Sequence, residues 1–594
     1  MLSPDDRSML TELLEPPDGY GLDAAAVVTY SLDLDALLTI PAAFAFTGSI
    51  TAGDLLATVT PLELLDALRT QASKITVCCD ASGIGLPADA RSGVFGFLES
   101  SVLPMQAPRG GAFHPKMWVL RFSNDAAELS HRLVVTSRNL TFDRSWDTVV
   151  CLEEDDDGVP LARVGDLLVA LAGPDLPVGK VSGRNLARLQ SLARTVRTVR
   201  FGIPQGFDDM TLHMLGLSPS RATPSPLPKQ AGVGLVVSPF LTRSLLAGLP
   251  PEWDQLTVVS RPDDLDRTLS DFAAYDDGPQ VFELNPSAVD DRTDSETTLS
   301  GLHAKIFVFD ESGLRSRVFT GSANATYAAF NQNVETLLEL GGRTRDVGVA
   351  RWLAPEDALG EILVPHRWEL PIDEVSDQTT ELLLEDLRSE LARIPIEGLV
   401  TARGNDQFYV EYRGVAPLPD LRGAKLSVRP ISIKTWTLLS GRTLVAAFPL
   451  SVLGLTAFLG VRLELNGAET QFTLVATMSG VPEDRDTHVL AALLADPARL
   501  VRYLLLLLFD PAEDRFDGLA QQALERSKQL PRTSLSTVPL MEVMARALTR
   551  QPAKLIEIDR LLQDLGAGTA LVDENLRALW TSVRSAAGLG SGTA

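Results

Sequence analysis

His303-Ala304-Lys305 and, downstream, Ser322-Ala323-Asn324 put an imidazole, an ammonium, a hydroxyl and an amide into one stretch of chain. A neutral imidazole can attack an electrophile, and a protonated one can give its proton to a leaving oxygen. Both forms are accessible near neutrality because the unperturbed pKa is about 6.5. Ammonium and amide donors hold anionic oxygens. Together they suit chemistry at a phosphate. The set occurs twice, because His114-Pro115-Lys116 is followed by Ser137-Arg138-Asn139. The tails also correspond, SWDTVVCLE against NVETLLEL, which pairs Asp147 with Glu335. The chain holds only 6 His and nine Lys, so two His-x-Lys triplets in matching contexts mark an internal repeat.

The elements that position these residues follow from the local pattern. LHAKIFVF alternates apolar and polar positions, which predicts a strand with His303 and Lys305 on one face. RVFTGSAN predicts a second strand ending on small residues. A helix then starts at NATYAAF, placing Ser322 and Asn324 beside N–H groups that attract anions.

At these residues the chain resembles the phospholipase D superfamily, whose signature is HxK, four residues, Asp and a downstream GSxN, present twice. The second copy matches through His303, Lys305, Asp310, Gly321, Ser322 and Asn324, with Glu335 following. The first copy has Arg121 at the Asp position and Thr136 at the Gly position. Its HxKM, TSxNL and nearby Trp146 resemble the tyrosyl-DNA phosphodiesterase branch, which also lacks the Asp. The resemblance spans residues 20–370. It implies one site shared by both copies, in which one His attacks phosphorus to form a phosphohistidine and the other protonates the leaving oxygen. Lys116, Lys305, Asn139 and Asn324 would hold the non-bridging oxygens. Ser137, Ser322 and Asp310 would support them, and Asp147 and Glu335 would orient the imidazoles. By analogy with the tyrosyl-DNA branch, His114 is the nucleophile and His303 the general acid. No cofactor or metal is implied, since the Lys–Asn clamp does a metal ion's electrostatic work.

At 594 residues the chain is long enough for several compact units. Alternating strand and helix patterns up to residue 370 predict an α/β fold. Strands separated by helices imply mainly parallel sheets, and two copies of the unit make two pseudo-symmetric lobes, phospholipase D-like by the resemblance. The expected domains are a first lobe at 1–217, a Pro- and Ser-rich linker at 218–230 and a second lobe at 231–370. A helix plus antiparallel β unit follows at 371–484, then a helical domain at 485–594. An acidic loop spans Asn285 to Thr298, and GLGSGTA at the end reads as disordered. Leu444 to Val461 is uncharged, but Pro449, Ser451, Gly454 and Thr456 break it, which predicts buried strands rather than a membrane span. MLSPDDRSML has no signal-peptide pattern, and Cys78, Cys79 and Cys151 have no metal-ligand spacing, so a cytoplasmic setting is expected.

A net charge of -24 argues against polyanion binding by the whole surface. The local basic candidate is Gly179 to Arg200, with Arg184, Arg188, Arg194 and Arg197. These arginines could contact a nucleic-acid backbone, or form a solvated face offsetting Glu153 to Asp157. A second, smaller cluster is Arg422, Lys425, Arg429 and Lys434. The leading expectation is a nuclease or DNA phosphodiesterase with nucleic acid, DNA foremost, as its partner. Likeness to prokaryotic restriction and antiphage nucleases adds an ATPase or helicase partner, and a homodimer is a further expectation. The alternatives are a phospholipid phosphodiesterase and a non-catalytic nucleic-acid-binding scaffold.

Overall fold

Along strand Gly21–Thr29, Ala24, Ala26 and Val28 point to one side and Ala25 and Val27 to the other, and both sets are buried. A strand covered on both faces must lie between layers. The computed structural model describes residues 10–45, 61–87, 92–285, 300–508, 543–566 and 574–586, with breaks of one to six residues inside these spans. Two sheets dominate the first part. The first runs Val102–Met105, Ile75–Asp80, Gly21–Thr29, Met117–Ser123, Leu129–Thr136, Val149–Pro160, Arg200–Phe201. The second runs Leu363–Pro365, Gln280–Leu284, Leu256–Val259, Val233–Val237, Ile306–Asp310, Arg315–Gly321, Glu335–Arg343, Asp209–Leu215.

Six consecutive strands of each sheet correspond in order and direction. In each, three strands are mutually parallel and the next three antiparallel. The sheets are therefore mixed, not mainly parallel. Each His-x-Lys strand is followed within a few residues by its Ser-x-Asn strand, and so short a link joins only antiparallel neighbours. The chain also enters the second sheet earlier than composition implied. Asp209–Leu215, ahead of the 218–230 stretch, pairs along Glu335–Gly341.

Period-2 alternation makes the layers. Met117, Val119, Leu133 and Val135 of the first sheet share one core with Ile306, Val308, Val318 and Leu338 of the second, so the sheets meet face to face. Trp118, Leu120 and Phe122 turn outward against helix Leu34–Ala45, and Phe307, Phe309 and Phe319 line the second sheet's outer core.

Helix Val375–Ala392 leads into a seven-stranded sheet over residues 396–479, antiparallel except where Ile396–Leu399 runs parallel to Ala476–Ser479. Leu444 to Val461 falls in two strands, Thr443–Ser451 and Phe458–Leu465, and no helix among the described residues is long and apolar enough to cross a membrane. Helices Arg485–Leu494, Pro497–Leu508, Pro552–Gly566 and Glu574–Ala586 share a core with Leu65 of helix Pro61–Gln71. The acidic stretch at 286–298, the helical pattern at 517–527 and the final GLGSGTA lie outside the described residues.

Candidate active site

Each His-x-Lys triplet sits where the chain changes partners. Ser300–Leu302 pairs in parallel with Arg144–Trp146 of the first half, and from Ile306 onward the chain belongs to the second sheet. The first copy repeats this. Phe113 bridges Val334 in parallel, and Met117 then begins the first sheet. His303 N–H donates to the Trp146 carbonyl and His114 N–H to the Val334 carbonyl, both at 2.9 Å. The triplets thus occupy irregular backbone between strands rather than one face of a strand, because each histidine's own N–H is committed to the opposite half.

This exchange places each imidazole beside the other copy's acid. His114 Nδ1 lies 2.9 Å from Glu335 Oε2, and His303 Nδ1 lies 2.7 Å from Asp147 Oδ1. Serines hold both acids: Ser137 Oγ donates to Asp147 Oδ1 at 2.8 Å, and Ser322 Oγ donates to Glu335 Oε2. The following threonines complete each set, with Thr148 N–H donating to Ser137 Oγ at 2.8 Å and Thr336 N–H to Ser322 Oγ at 2.9 Å. Thr320 Oγ1 and Thr148 Oγ1 are hydrogen-bonded across the halves at 2.8 Å, and Lys116 N–H reaches Thr336 Oγ1 at 3.3 Å.

Lys116, Lys305 and Glu335 are fully buried. Ammonium groups tolerate burial only beside compensating groups, so the two lysines and two carboxylates balance one another. Lys116 Nζ donates to His114 Nε2 at 3.0 Å and to the His114 carbonyl at 3.3 Å, and Lys305 Nζ donates to the His303 carbonyl at 2.6 Å. Burial drives the His114 pKa down to about 4 against the pull of Glu335, and Lys116 and Lys305 add to the depression. His303 is also lowered, by burial and then by Lys305, with Lys116 contributing from the other copy. Burial favours protonation of Glu335 and Asp147, yet His114 and His303 respectively hold each carboxylate below its usual range. The fields of both lysines reach both rings.

Asn139 accepts from Ser31 N–H at 3.3 Å through Oδ1, which leaves its NH2 as a donor group. Asn324, at the equivalent position, is buried and its Oδ1 has no hydrogen-bond partner among the described residues. The helix expected beside Asn324 is short, Tyr327–Asn331, and its first donors are already taken. Ala329 N–H goes to Thr326 and Tyr327 N–H to Thr242. Gly321 has φ +147° and an added Cβ would meet the Thr336 carbonyl, so glycine is required at that position.

Other expected residues lie away from the rings. Asp310 Oδ1 accepts from Ser316 Oγ at 2.7 Å and from Val349 N–H at 3.1 Å, at the far end of strand Ile306–Asp310. Arg121, its counterpart, donates to Asp23 at 2.6 Å and to Ser191 and Thr195 of helix Gly183–Val196. The signature Asp position therefore docks a helix in both halves, with opposite charge. Arg121 lies five residue steps along the strand from Lys116, or about 17 Å. The same helix anchors Arg188 on the Ser73 and Ile75 carbonyls and on Thr76. Ile75 and Thr76 begin the strand whose other end, Asp80, accepts from Phe113 N–H beside His114. Arg197 pairs with Asp166, and Arg184 and Arg194 are exposed on the same helix. The Arg-rich helix is thus fastened at the strand ends remote from the imidazoles, and Arg188 is engaged in holding it there.

The structure adds Tyr30, whose ring centroid is 5.0 Å from that of His114 and 5.8 Å from Lys116 Nζ. Nothing in the sequence pattern flags it. Thr148 and Thr336 were legible in principle, since each follows its acid in the repeated tails. His131, His213, His366 and His488 face Glu154, Glu339, Glu283 and Asp484 elsewhere in the fold.

No protein-family model matches the chain, and no curated protein matches it. Among solved structures, the crystal structure of the yeast tyrosyl-DNA phosphodiesterase superposes with a TM-score of 0.35 at 11% identity, covering 58% of this chain and 88% of that one. Two single-residue variants of that yeast enzyme give TM-scores of 0.33 and 0.32 at 10% and 12% identity. They cover 58% and 56% of this chain and 92% and 85% of their own.

Proposed function

We propose that this chain is a phosphodiesterase of the phospholipase D type, cleaving nucleic acid, DNA foremost, through a phosphohistidine on His114 without a metal ion. The observation that carries this reading is the crossed pairing of each imidazole with the other copy's carboxylate, His114 with Glu335 and His303 with Asp147. Neither half holds an oriented imidazole by itself. A carboxylate at Nδ1 fixes the tautomer so that Nε2 faces the site.

Lys116 donates to His114 Nε2, which marks that nitrogen as the lone-pair carrier, and a pKa of about 4 keeps it neutral. When a phosphodiester binds, its non-bridging oxygens take the donors of Lys116, Lys305 and Asn139 and release Nε2. The His114 lone pair forms the N–P bond as the bond from phosphorus to the leaving oxygen breaks. Protonated His303 supplies that oxygen's proton. Water then attacks phosphorus, His303 takes the water's proton, and cleavage of the N–P bond restores His114. The ammonium groups stabilise the charge gathering on the equatorial oxygens.

A scaffold that only binds would be more stable with apolar residues in place of buried lysines and carboxylates, so the buried polar set speaks for catalysis. The choice of nucleic acid over phospholipid rests on the first motif's resemblance to the tyrosyl-DNA branch. The test is incubation with labelled single-stranded DNA, duplex DNA, RNA and phospholipid in EDTA. Cleavage of nucleic acid that persists in chelator and disappears in His114→Ala and His303→Ala is expected. A strict Mg²⁺ requirement would overturn the mechanism, and activity on phospholipid alone would overturn the substrate class.

A further inference from the structure

Strands Gly21–Thr29, Ile75–Asp80 and Val102–Met105 run parallel, and their carboxyl ends stop side by side at Tyr30, Asp80 and Met105. Crevices outside the carboxyl ends of parallel strands are the common ligand sites of α/β folds. Here the crevice is a cavity of about 410 Å³, walled by Asp386, Ser389 and Glu390 of helix Val375–Ala392 and by Arg393 beyond it. That helix lies past residue 370, so this wall is no part of the duplicated unit. The floor is not duplicated either. Val28 faces Cys78 and Met117 as Val237 faces Val259 and Ile306, so Arg261 stands at the position of Asp80. Asp80 accepts from the N–H of Phe113, before His114, at 2.8 Å, and Arg261 donates to the carbonyl of Leu302, before His303, at 3.0 Å. Opposite charges hold equivalent backbone in the two halves.

Asp80 is only 8% exposed, and its hydrogen bonds come from neutral donors, Ser82 N–H and Oγ as well as Phe113 N–H. No ion pair reaches it from the described residues. Buried carboxylates are stable beside a counter-charge, and this one lines a cavity instead. Arg393, the guanidinium in the lining, donates to the Gly110 carbonyl at 3.0 Å. From outside the lining, Arg422 engages Glu390 at 2.8 Å and Asp386 at 4.0 Å. We infer that this cavity is a second ligand site, which takes a small organic cation, an amine, with its charge against Asp80. Its volume suits a small molecule, and among the described residues no three metal-ligating side chains converge to hold a bare ion. An occupant bears on His114 by two routes. Asp80 holds the N–H before it, and Tyr30, also in the lining, has its ring 5.0 Å from the imidazole. Burial pushes the Asp80 carboxyl up, and a bound cation keeps it ionised, the stronger acceptor for Phe113 N–H. Occupancy therefore firms the backbone that presents His114. This coupling rests on the phosphodiesterase reading above, whereas the site itself does not.

The experiment is isothermal titration calorimetry of the full-length chain near neutral pH with putrescine, butanediol and succinate, which are of comparable length and differ in charge. Putrescine should bind, and the neutral and anionic compounds should not. Asp80→Asn keeps an acceptor for Phe113 N–H and should weaken putrescine by roughly ten- to a hundredfold. Ser389→Phe fills the cavity from the helix side and should abolish binding, which keeps the test decisive if Asp80→Asn fails to fold. No binding of putrescine, equal binding of butanediol, or putrescine binding untouched by both substitutions would overturn the site. Saturating putrescine should also raise kcat/KM for a small nitrophenyl phosphodiester by about fivefold or more in the parent and leave Ser389→Phe unchanged. A parent that binds putrescine and cleaves the ester at an unaltered rate would overturn the coupling alone. A parent that binds putrescine and cleaves nothing would fail the phosphodiesterase reading while the cation site stands.

Discussion

At the residue scale, the two imidazoles have different jobs because their surroundings differ. His114 must be neutral to attack, and burial depresses it to about 4. His303 must be protonated to donate, and burial with Lys305 places it below the ordinary 6.5. For the free protein kcat/KM should therefore rise as pH increases through about 4 and fall again before 6.5, a bell read from initial rates. Glu335 raises the His114 pKa, so Glu335→Gln should move the acid limb to lower pH. It should also cut the rate by roughly 10²–10⁴, through loss of the oriented tautomer. Asp147→Asn should move the alkaline limb to lower pH by the same reasoning. Either variant keeping both limbs in place would remove the carboxylates from the mechanism. The His, Lys, Ser, Asn and acid positions were legible because duplication printed them twice in a histidine-poor chain. Tyr30 was not, since its nearness to His114 depends on how strand Gly21–Thr29 ends and has no counterpart in the second copy, where Pro239 stands.

At the element scale, the backbone of each triplet belongs to neither sheet, and that irregularity delivers one copy's histidine to the other copy's acid. Alternation in LHAKIFVF suggested a continuous strand because side-chain periodicity carries no record of which strand will pair. The switch at Leu302 and Ile306 is a tertiary event. The mainly parallel expectation failed for a related reason: helix-separated strands are parallel, but the hairpin carrying the motif is not. The Asp310 position illustrates the difference between a signature and a role. Asp310 satisfies Ser316 and the N–H of Val349. Asp310→Ala should lower stability by about 1–2 kcal/mol, seen as an earlier denaturant midpoint, with kcat/KM within a few-fold of the parent. A loss of a hundredfold or more in rate at unchanged stability would put Asp310 back in the site. Arg121→Ala should likewise loosen helix Gly183–Val196 without abolishing cleavage.

At the scale of the molecule, the C-terminal parts are built into the first half. Arg485 donates to Glu99 at 2.7 and 3.1 Å and to the Leu455 carbonyl, joining a C-terminal helix, the β unit and the first half through one buried guanidinium. Arg485→Ala leaves the Glu99 carboxylate without its counter-charge, holding only the Ala457 N–H, and should cost about 3–5 kcal/mol, measured by chemical denaturation. A shift below 1 kcal/mol would mean that this junction tolerates water. The strands over 396–479 and the helices beyond 485 were legible from hydrophobic period, but this coupling was not, since Glu99 and Arg485 are remote in sequence and ordinary in type. The same holds for the Arg-rich helix, whose charge was visible while its attachment at the far strand ends was not. The account as a whole rests on both halves acting at one phosphorus. His303→Ala should still accept a nitrophenyl nucleotide ester, whose leaving group departs without a proton, but should lack the base for hydrolysis. Intact-mass and peptide mass spectrometry of that variant should find the nucleotidyl group, acid-labile, on the peptide carrying His114. Turnover by His303→Ala with no adduct, or an adduct on a peptide without His114, would contradict the account.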